Sequence, residues 1–233
     1  AILFTLLVTF KTTKNYQLLA AMQAEIRFKA LQSKMAPHLI FNTLDSMVCT
    51  IEEGDNASAL ACIRALAYML QVDLRDNNTE ISMSKQVRYL KSYVNLQEIR
   101  YRDKFDFNLD IDVGDYSLDS LRILKFCVEP LVENCFVHSV YQGQPFTHIS
   151  VSYKVVNSKL VIIVANDSVL LSEKQQNELK ALLEDRKKLD TSHIGLLSIN
   201  ERIRLLYGKD YGIDIIPERR RFTVRVRLPI LTE

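Results

Sequence analysis

Between Phe105 and Asp112 apolar and polar side chains alternate without a break, with Phe105, Phe107, Leu109 and Ile111 on one side and Asp106, Asn108, Asp110 and Asp112 on the other. A period of two predicts a strand with one buried face. Upstream the period is different. From Asn15 to Glu53, residues Leu18, Leu19, Met22, Ile26, Phe28, Leu31, Met35, Leu39, Ile40, Leu44, Met47 and Ile51 recur at three- and four-residue steps, which predicts a long helix of coiled-coil character. Gly54-Asp55-Asn56 supplies a turn, and Ser58 to Leu74 resumes the helical period through Leu60, Ile63, Leu66, Leu70 and Leu74. The two segments form an antiparallel helical hairpin. Neither helix covers its apolar stripe alone, so the expectation is a homodimeric four-helix bundle.

The polar run Arg75-Asp76-Asn77-Asn78-Thr79 marks the expected boundary between a hairpin at residues 15–78 and a second unit at residues 79–233. That unit reads as a helix from an N-cap at Ser84 to about Tyr101, the alternating strand, and a helix over about Leu121 to Ser139. Strands near His148–Val156 and Lys159–Ala165 follow, then a charged helical segment near Ser172–Lys188 and a helix over about Leu196–Tyr207. A hairpin of Tyr211–Ile216 and Arg221–Leu228 closes the chain. Strands close enough for hairpins, beside helices that share one face, predict an α+β sandwich with a mixed, mostly antiparallel sheet.

Composition narrows the picture without changing it. Lys+Arg number 30 against 28 Asp+Glu, a net charge of +2, so nothing argues for a direct nucleic-acid partner. Cys49, Cys62, Cys127 and Cys135 lie in apolar stretches without Cys-x-x-Cys spacing and read as reduced core thiols. Ala1 to Phe10 is apolar apart from two Thr, and Lys11 and Lys14 follow it. Charge after an apolar run is the pattern of a cytoplasmic membrane boundary, so residues 1–14 are expected to be the membrane-proximal end of a transmembrane or signalling helix.

Three segments carry candidate chemistry. In Ala36-Pro37-His38-Leu39-Ile40-Phe41-Asn42, a proline inside a helix costs about 3 kcal/mol and bends the chain beside His38, whose neutral imidazole is a nucleophile. Asn42 lies one turn on, on the same face. In Glu129-Pro130-Leu131-Val132-Glu133-Asn134-Cys135-Phe136-Val137-His138, Glu133, Asn134 and His138 interrupt an apolar helix, and a carboxylate with an amide oxygen suits Mg²⁺ beside phosphates. The third candidate joins the end of a buried strand, Ala165-Asn166-Asp167-Ser168, to His193-Ile194-Gly195-Leu196 and Asn200-Glu201-Arg202. A glycine at a helix entry lets backbone approach a phosphate. Arg225 and Arg227, with Arg219-Arg220-Arg221, read as a solvated face of the last strand. His148 and His193 carry no chemistry by spacing.

In this order the segments resemble the LytS/YesM-type sensor histidine kinases. The phosphoacceptor motif of that family, close to L-Q-x-Q-x-x-P-H-F-L-F-N-T-L, is similar to Leu31-Gln32-Ser33-Lys34-Met35-Ala36-Pro37-His38-Leu39-Ile40-Phe41-Asn42-Thr43-Leu44. Pro130-Leu131-Val132-Glu133-Asn134 resembles the N box, and Ile194-Gly195-Leu196 with Asn200-Glu201-Arg202-Ile203 resembles the second glycine box. The resemblance implies a dimerisation and phosphotransfer hairpin followed by a Bergerat-type ATP-binding domain. It implies His38 as phosphoacceptor, Asn134 as Mg²⁺ ligand, and Glu133 as the group that polarises the nucleophile. His138, Asn166, Asp167, Gly195, Leu196 and Asn200 are implied at the nucleotide.

The implied activity is that of a two-component sensor kinase, cytoplasmic in its catalytic portion and anchored in a bacterial inner membrane. It takes a phosphoryl group from ATP·Mg²⁺ onto His38 and passes it to an aspartate of a response-regulator receiver domain. By analogy Asn42 orients a water in the reverse, phosphatase direction. Departures from the family define the alternatives. A first glycine box of D-N-G-x-G corresponds to Asn166-Asp167-Ser168-Val169-Leu170, without either glycine, which leaves a degenerate kinase acting as a dimeric nucleotide-sensing scaffold as the rival. Either Asn166 or Asp167 is the acceptor for the adenine amine. A pure ATP hydrolase is disfavoured, because Pro130 stands where a water-activating Glu would be.

Overall fold

The structure is a computed structural model that describes residues 39–75, 78–144, 146–167, 172–184, 194–218 and 221–232. The expectations for residues 1–14, for the first part of the long helix and for the bend at Pro37 lie outside the described residues.

The described chain opens with α1, helical over residues 39–52, and turns at Gly54, whose φ of +78° suits glycine, into α2 at Asn56–Arg75. The Asp55 carboxylate accepts the Ser58 amide hydrogen bond at 3.1 Å at the start of α2. The inward face of α2 is built from Ala59, Cys62, Ala65, Leu66, Met69 and Val72, with Leu70 packed against the core; of the expected stripe, Leu60 and Ile63 are exposed. A second apolar face therefore stays uncovered on this helix.

A short strand, β1 (Glu80–Ser82), leads into α3 (Met83–Arg100). The N-cap is Ser82, not Ser84: its Oγ accepts the Lys85 amide and also meets Ser84 Oγ at 3.0 Å. The alternating segment forms β2 (Phe105–Asp112) as expected, with its four polar residues exposed. The helix expected over Leu121–Ser139 is instead β3 (Leu121–Leu124), a turn in which Phe126 has φ +61°, and a shorter α4 (Glu129–Val137). Two constraints explain the break. Pro130 is tolerated only in the first turn of a helix, and Leu121–Leu124 has edge partners on both sides: it pairs antiparallel with β1 and with β8 (Leu231–Thr232).

After α4, β4 (Thr147–Val156) and β5 (Lys159–Asn166) form a hairpin. Then come α5 (Glu173–Glu184), α6 (Ile194–Tyr207), β6 (Gly212–Pro217) and β7 (Phe222–Pro229). The main sheet has the order β2-β4-β5-β7-β6. All its pairs are antiparallel except β2 with β4, which run parallel from Phe105 opposite Thr147 to Asp112 opposite Lys154. The fold is α+β, with helices on one face of a mixed sheet. Among the described residues no helix is long and apolar enough to cross a membrane.

One apolar core runs from Met47 through Leu90, Phe136 and Ile162 to Leu228, with no gap at the expected boundary near residue 78. Phe136 anchors it, edge-to-face with Phe105 at 4.8 Å and with Tyr93 at 5.8 Å. The hairpin is fastened to this body at both ends. Arg102 pairs with Glu53 at 3.3 Å and Asp55 at 3.7 Å, the Arg88 guanidinium stacks 4.1 Å over the Tyr68 ring, and the Tyr89 hydroxyl faces Asp73 at 3.5 Å.

Candidate functional site

The helix-covered face of the main sheet carries the candidate groups. Strand β5 enters the core through the inward side chains Leu160, Ile162 and Val164, and the same parity turns Asn166 inward at its last position. Asn166 is 1% exposed, and among the described residues neither Oδ1 nor Nδ2 of its amide has a hydrogen-bond partner. An amide buried this way costs about 1–3 kcal/mol. A group outside the chain that offers a donor and an acceptor would satisfy it.

Asp167, the next residue, is occupied. Its Oδ1 accepts the His148 main-chain N–H at 2.8 Å, its own amide donates to His148 O at 3.3 Å, and its Oδ2 lies 3.8 Å from His148 Nε2. The other ring nitrogen of His148, Nδ1, is 2.6 Å from Asp106 Oδ1, and Phe146 packs edge-on against the imidazole. His148 thus holds the ends of three strands together. Sequence spacing missed it. The signal was present in the alternation of β2, because Asp106 stands directly opposite His148 in the parallel register, but the partner strand had to be known first.

Helix α4 packs on β5 and supplies Glu133 and Asn134. Burial pushes the Glu133 carboxyl up to about 7, into the range of a group that exchanges protons near neutrality. Asn134 is half-buried, and its main-chain carbonyl accepts the His138 amide at the helix end. His138 is exposed just beyond the last turn. Glu129, at the start of α4, is buried beside Gln86 of α3, and desolvation raises its carboxyl to about 7 against the lowering effect of the Gln86 amide.

At α6, Gly195 lies in the first turn, and no described atom stands within 4 Å of where a Cβ would sit. Leu196 is buried in the core. Asn200 has both ends of its side chain engaged: Nδ2 donates to Leu183 O at 3.0 Å and Oδ1 accepts the Ile213 N–H at 2.8 Å, which ties α6 to the end of α5 and to β6. Gly212 makes that clamp possible, since a Cβ there would lie 2.5 Å from Asn200 Oδ1.

On α1, Asn42 is half-buried and its carbonyl accepts the Ser46 hydroxyl at 2.9 Å. His38, four residues before it, lies outside the described residues, as does His193. Three of the four cysteines are buried as expected, but Cys49 is exposed. The arginine face of β7 is more ordered than a solvated stripe: Arg225 and Arg227 both pair with Asp214 of β6, at 3.2 Å and 3.0 Å, beside a cavity of about 510 Å³ that Lys180 and Arg204 also line.

Among the described residues no three His, Cys, Asp or Glu side chains converge as a metal cage. A hard cation here would rest on the Asn134 amide oxygen, with phosphate oxygens completing its shell. The orphaned group, a buried amide with a donor and an acceptor side by side, fits the polar edge of an organic ligand better than a bare metal ion.

Residues 26–105 match the histidine kinase family model. Over 184 residues the chain is 26% identical to an uncharacterized sensor-like histidine kinase of Staphylococcus epidermidis, covering 79% of this chain and 35% of that protein. Over 200 residues it is 23% identical to the sensor protein kinase HptS of Staphylococcus aureus, covering 86% of this chain and 37% of that protein. The chain spans a little over a third of the length of these relatives. The catalytic domain of histidine kinase ThkA, in a nucleotide-free form, superposes over 66% of this chain and 98% of its own, at 18% identity and a TM-score of 0.46.

Proposed function

The chain is a relative of the sensor histidine kinases, and on that premise we propose that it is the kinase portion of a two-component sensor, which phosphorylates its own His38 from ATP and hands the phosphoryl group to an aspartate on a response-regulator receiver domain. The observation that carries this reading is the place of Pro37-His38-Leu39-Ile40-Phe41-Asn42 inside the segment that matches the histidine kinase model.

Residues 15–78 serve as the dimerisation and phosphotransfer hairpin and residues 79–233 as the ATP-binding unit. Homodimerisation is supported by Phe41, Leu44, Val48 and Ile51, which follow one another at steps of three, four and three along α1 and are between 45% and 66% exposed. With Leu60 and Ile63 of α2 they form an apolar stripe of coiled-coil spacing, and a second copy offers the matching surface. Residues 1–14 connect the unit to a membrane-embedded sensor, which places the catalytic portion in the cytoplasm.

With nucleotide bound, Asn166 would face the base and the Asn134 amide oxygen would hold Mg²⁺, which would supply charge neutralisation for phosphoryl transfer. Glu133, with its carboxyl near 7, takes the proton from the attacking imidazole. The open approach over Gly195 admits a phosphate to the first turn of α6, whose unpaired amides favour anions. Asp167 acts through His148 to fix the end of β5, and Asn200 positions α6. Asn42 orients water for dephosphorylation of the regulator.

Incubation with γ-labelled ATP and Mg²⁺ tests the proposal. Acid-labile label on the chain that disappears in His38→Gln is the expected result. Nucleotide binding with no label on any residue would favour the scaffold reading, which the missing glycines of the first box support.

A further inference from the structure

The nucleotide reading of Asn166 has a chemical corollary that a carboxylate at this position would not share. A carboxylate only accepts hydrogen bonds, whereas a carboxamide presents an acceptor and a donor side by side. The 6-amino edge of adenine offers a donor (N6–H) beside an acceptor (N1). The edge of a 6-oxopurine offers an acceptor (O6) beside a donor (N1–H). A half-turn of the amide about its last torsion converts the complement of one into the complement of the other.

In most buried sites a protein group dictates which way round such an amide lies. None does so among the described residues: Asn166 is 1% exposed and both polar atoms lack a partner there. Asp167, the nearest group in sequence that could bias the choice, has its carboxylate engaged by the main-chain N–H and the ring of His148. The cross-strand neighbours of Asn166 are Ile149 on β4 and Phe222 on β7, which carry no side-chain donor or acceptor.

We propose that Asn166 makes this site tolerant of the 6-substituent, so that it takes 6-oxopurine nucleoside triphosphates as well as adenosine triphosphate. The proposal rests on the nucleotide reading given above. It assigns Asn166 as the residue that sets purine specificity, through the bond pair it makes in either orientation.

Titration calorimetry of the 233-residue chain with Mg²⁺ and three ligands tests it: ATP, inosine triphosphate, and purine riboside triphosphate, which has neither amine nor oxygen at position 6. The expected result is that ATP and inosine triphosphate bind within about tenfold of each other, while purine riboside triphosphate binds at least about tenfold more weakly, the loss of one buried hydrogen bond. In Asn166→Leu, which replaces the orphaned amide by an apolar side chain of similar shape, the three affinities should converge. A preference for ATP over inosine triphosphate of more than about tenfold in the unmodified chain overturns the inference, as does any ordering of the three that Asn166→Leu leaves unchanged. If ATP itself fails to bind, the nucleotide reading falls and this inference with it. If ATP binds and inosine triphosphate is refused, only the inference falls.

Discussion

The ammonium group of Lys125, 4% exposed, donates a hydrogen bond to the main-chain carbonyl of Val72 at 2.7 Å, across 53 positions of sequence. Phe126 stacks on the same ammonium at 4.6 Å, and the half-buried Asp73 beside it lends opposite charge, although burial raises that carboxyl overall. The last turn of α2 is thereby held against the body that follows. Replacing Lys125 with Met should keep the packing volume and lose the charged bond. The expected cost is about 1–3 kcal/mol, seen as a lower urea midpoint, with faster hydrogen exchange confined to the C-terminal half of α2.

Asn200 predicts a larger effect. Its side chain satisfies one donor and one acceptor from two different elements, and Asn200→Leu would leave the Ile213 N–H buried without that partner and the Leu183 carbonyl with the Arg204 guanidinium alone. The expected loss is about 2 kcal/mol or more, with no change in the urea slope. Gly212→Ala should fail in the same way from the opposite side. Its Cβ would meet Asn200 Oδ1 at 2.5 Å, and its φ of +140° is one that an L-residue adopts only under strain.

Stability should also depend on pH through Glu129. Desolvation lifts its carboxyl from the ordinary 4.5 to about 7, so the folded state holds a proton that the unfolded chain releases. The contribution is therefore fully present below about 4.5 and is lost as pH rises through about 7, amounting to about 3 kcal/mol across that window. Glu133, raised by the same cause, works in the same direction. Denaturant midpoints at pH 5 and pH 8 should differ less in Glu129→Gln than in the unmodified chain. An equal pH dependence in both would remove the assignment.

The exposed stripe on α1 makes a fourth prediction. Val48→Glu with Ile51→Lys changes two exposed apolar positions without touching the buried face of the hairpin. Sedimentation should report a dimer for the unmodified chain and a monomer for the double variant, with the helical circular dichroism signal retained.

The parts legible in the sequence were those where a period ran long enough to exceed local ambiguity. Phe105 to Asp112 alternates over eight residues and became β2 without adjustment. Leu121 to Leu124 holds three apolar residues around Arg122, too short a stretch to separate strand from helix, and only its pairing with β1 and β8 decides the matter. Those two strands, three and two residues long, carry no period at all. Ser82 and Ser84 both suit an N-cap, and the choice fell to the one whose extended backbone ends β1. In the candidate site, Asn166, Glu133 and Asn134 were legible because polar residues in apolar runs need a reason. His148 was not, because its importance lies in Asp106 and Asp167, which reach it only once three strands are aligned.

The shared core between α2 and α3 has a mechanical meaning. The hairpin is not joined to the body that follows by a slack cord. Arg102 at one end and Lys125 at the other clasp the rod to its neighbour, so a twist of α2 must either drag α3 with it or peel Met69 and Val72 away from their seat. The hairpin is an arm pinned at two points, the buried one at Lys125 being the stronger.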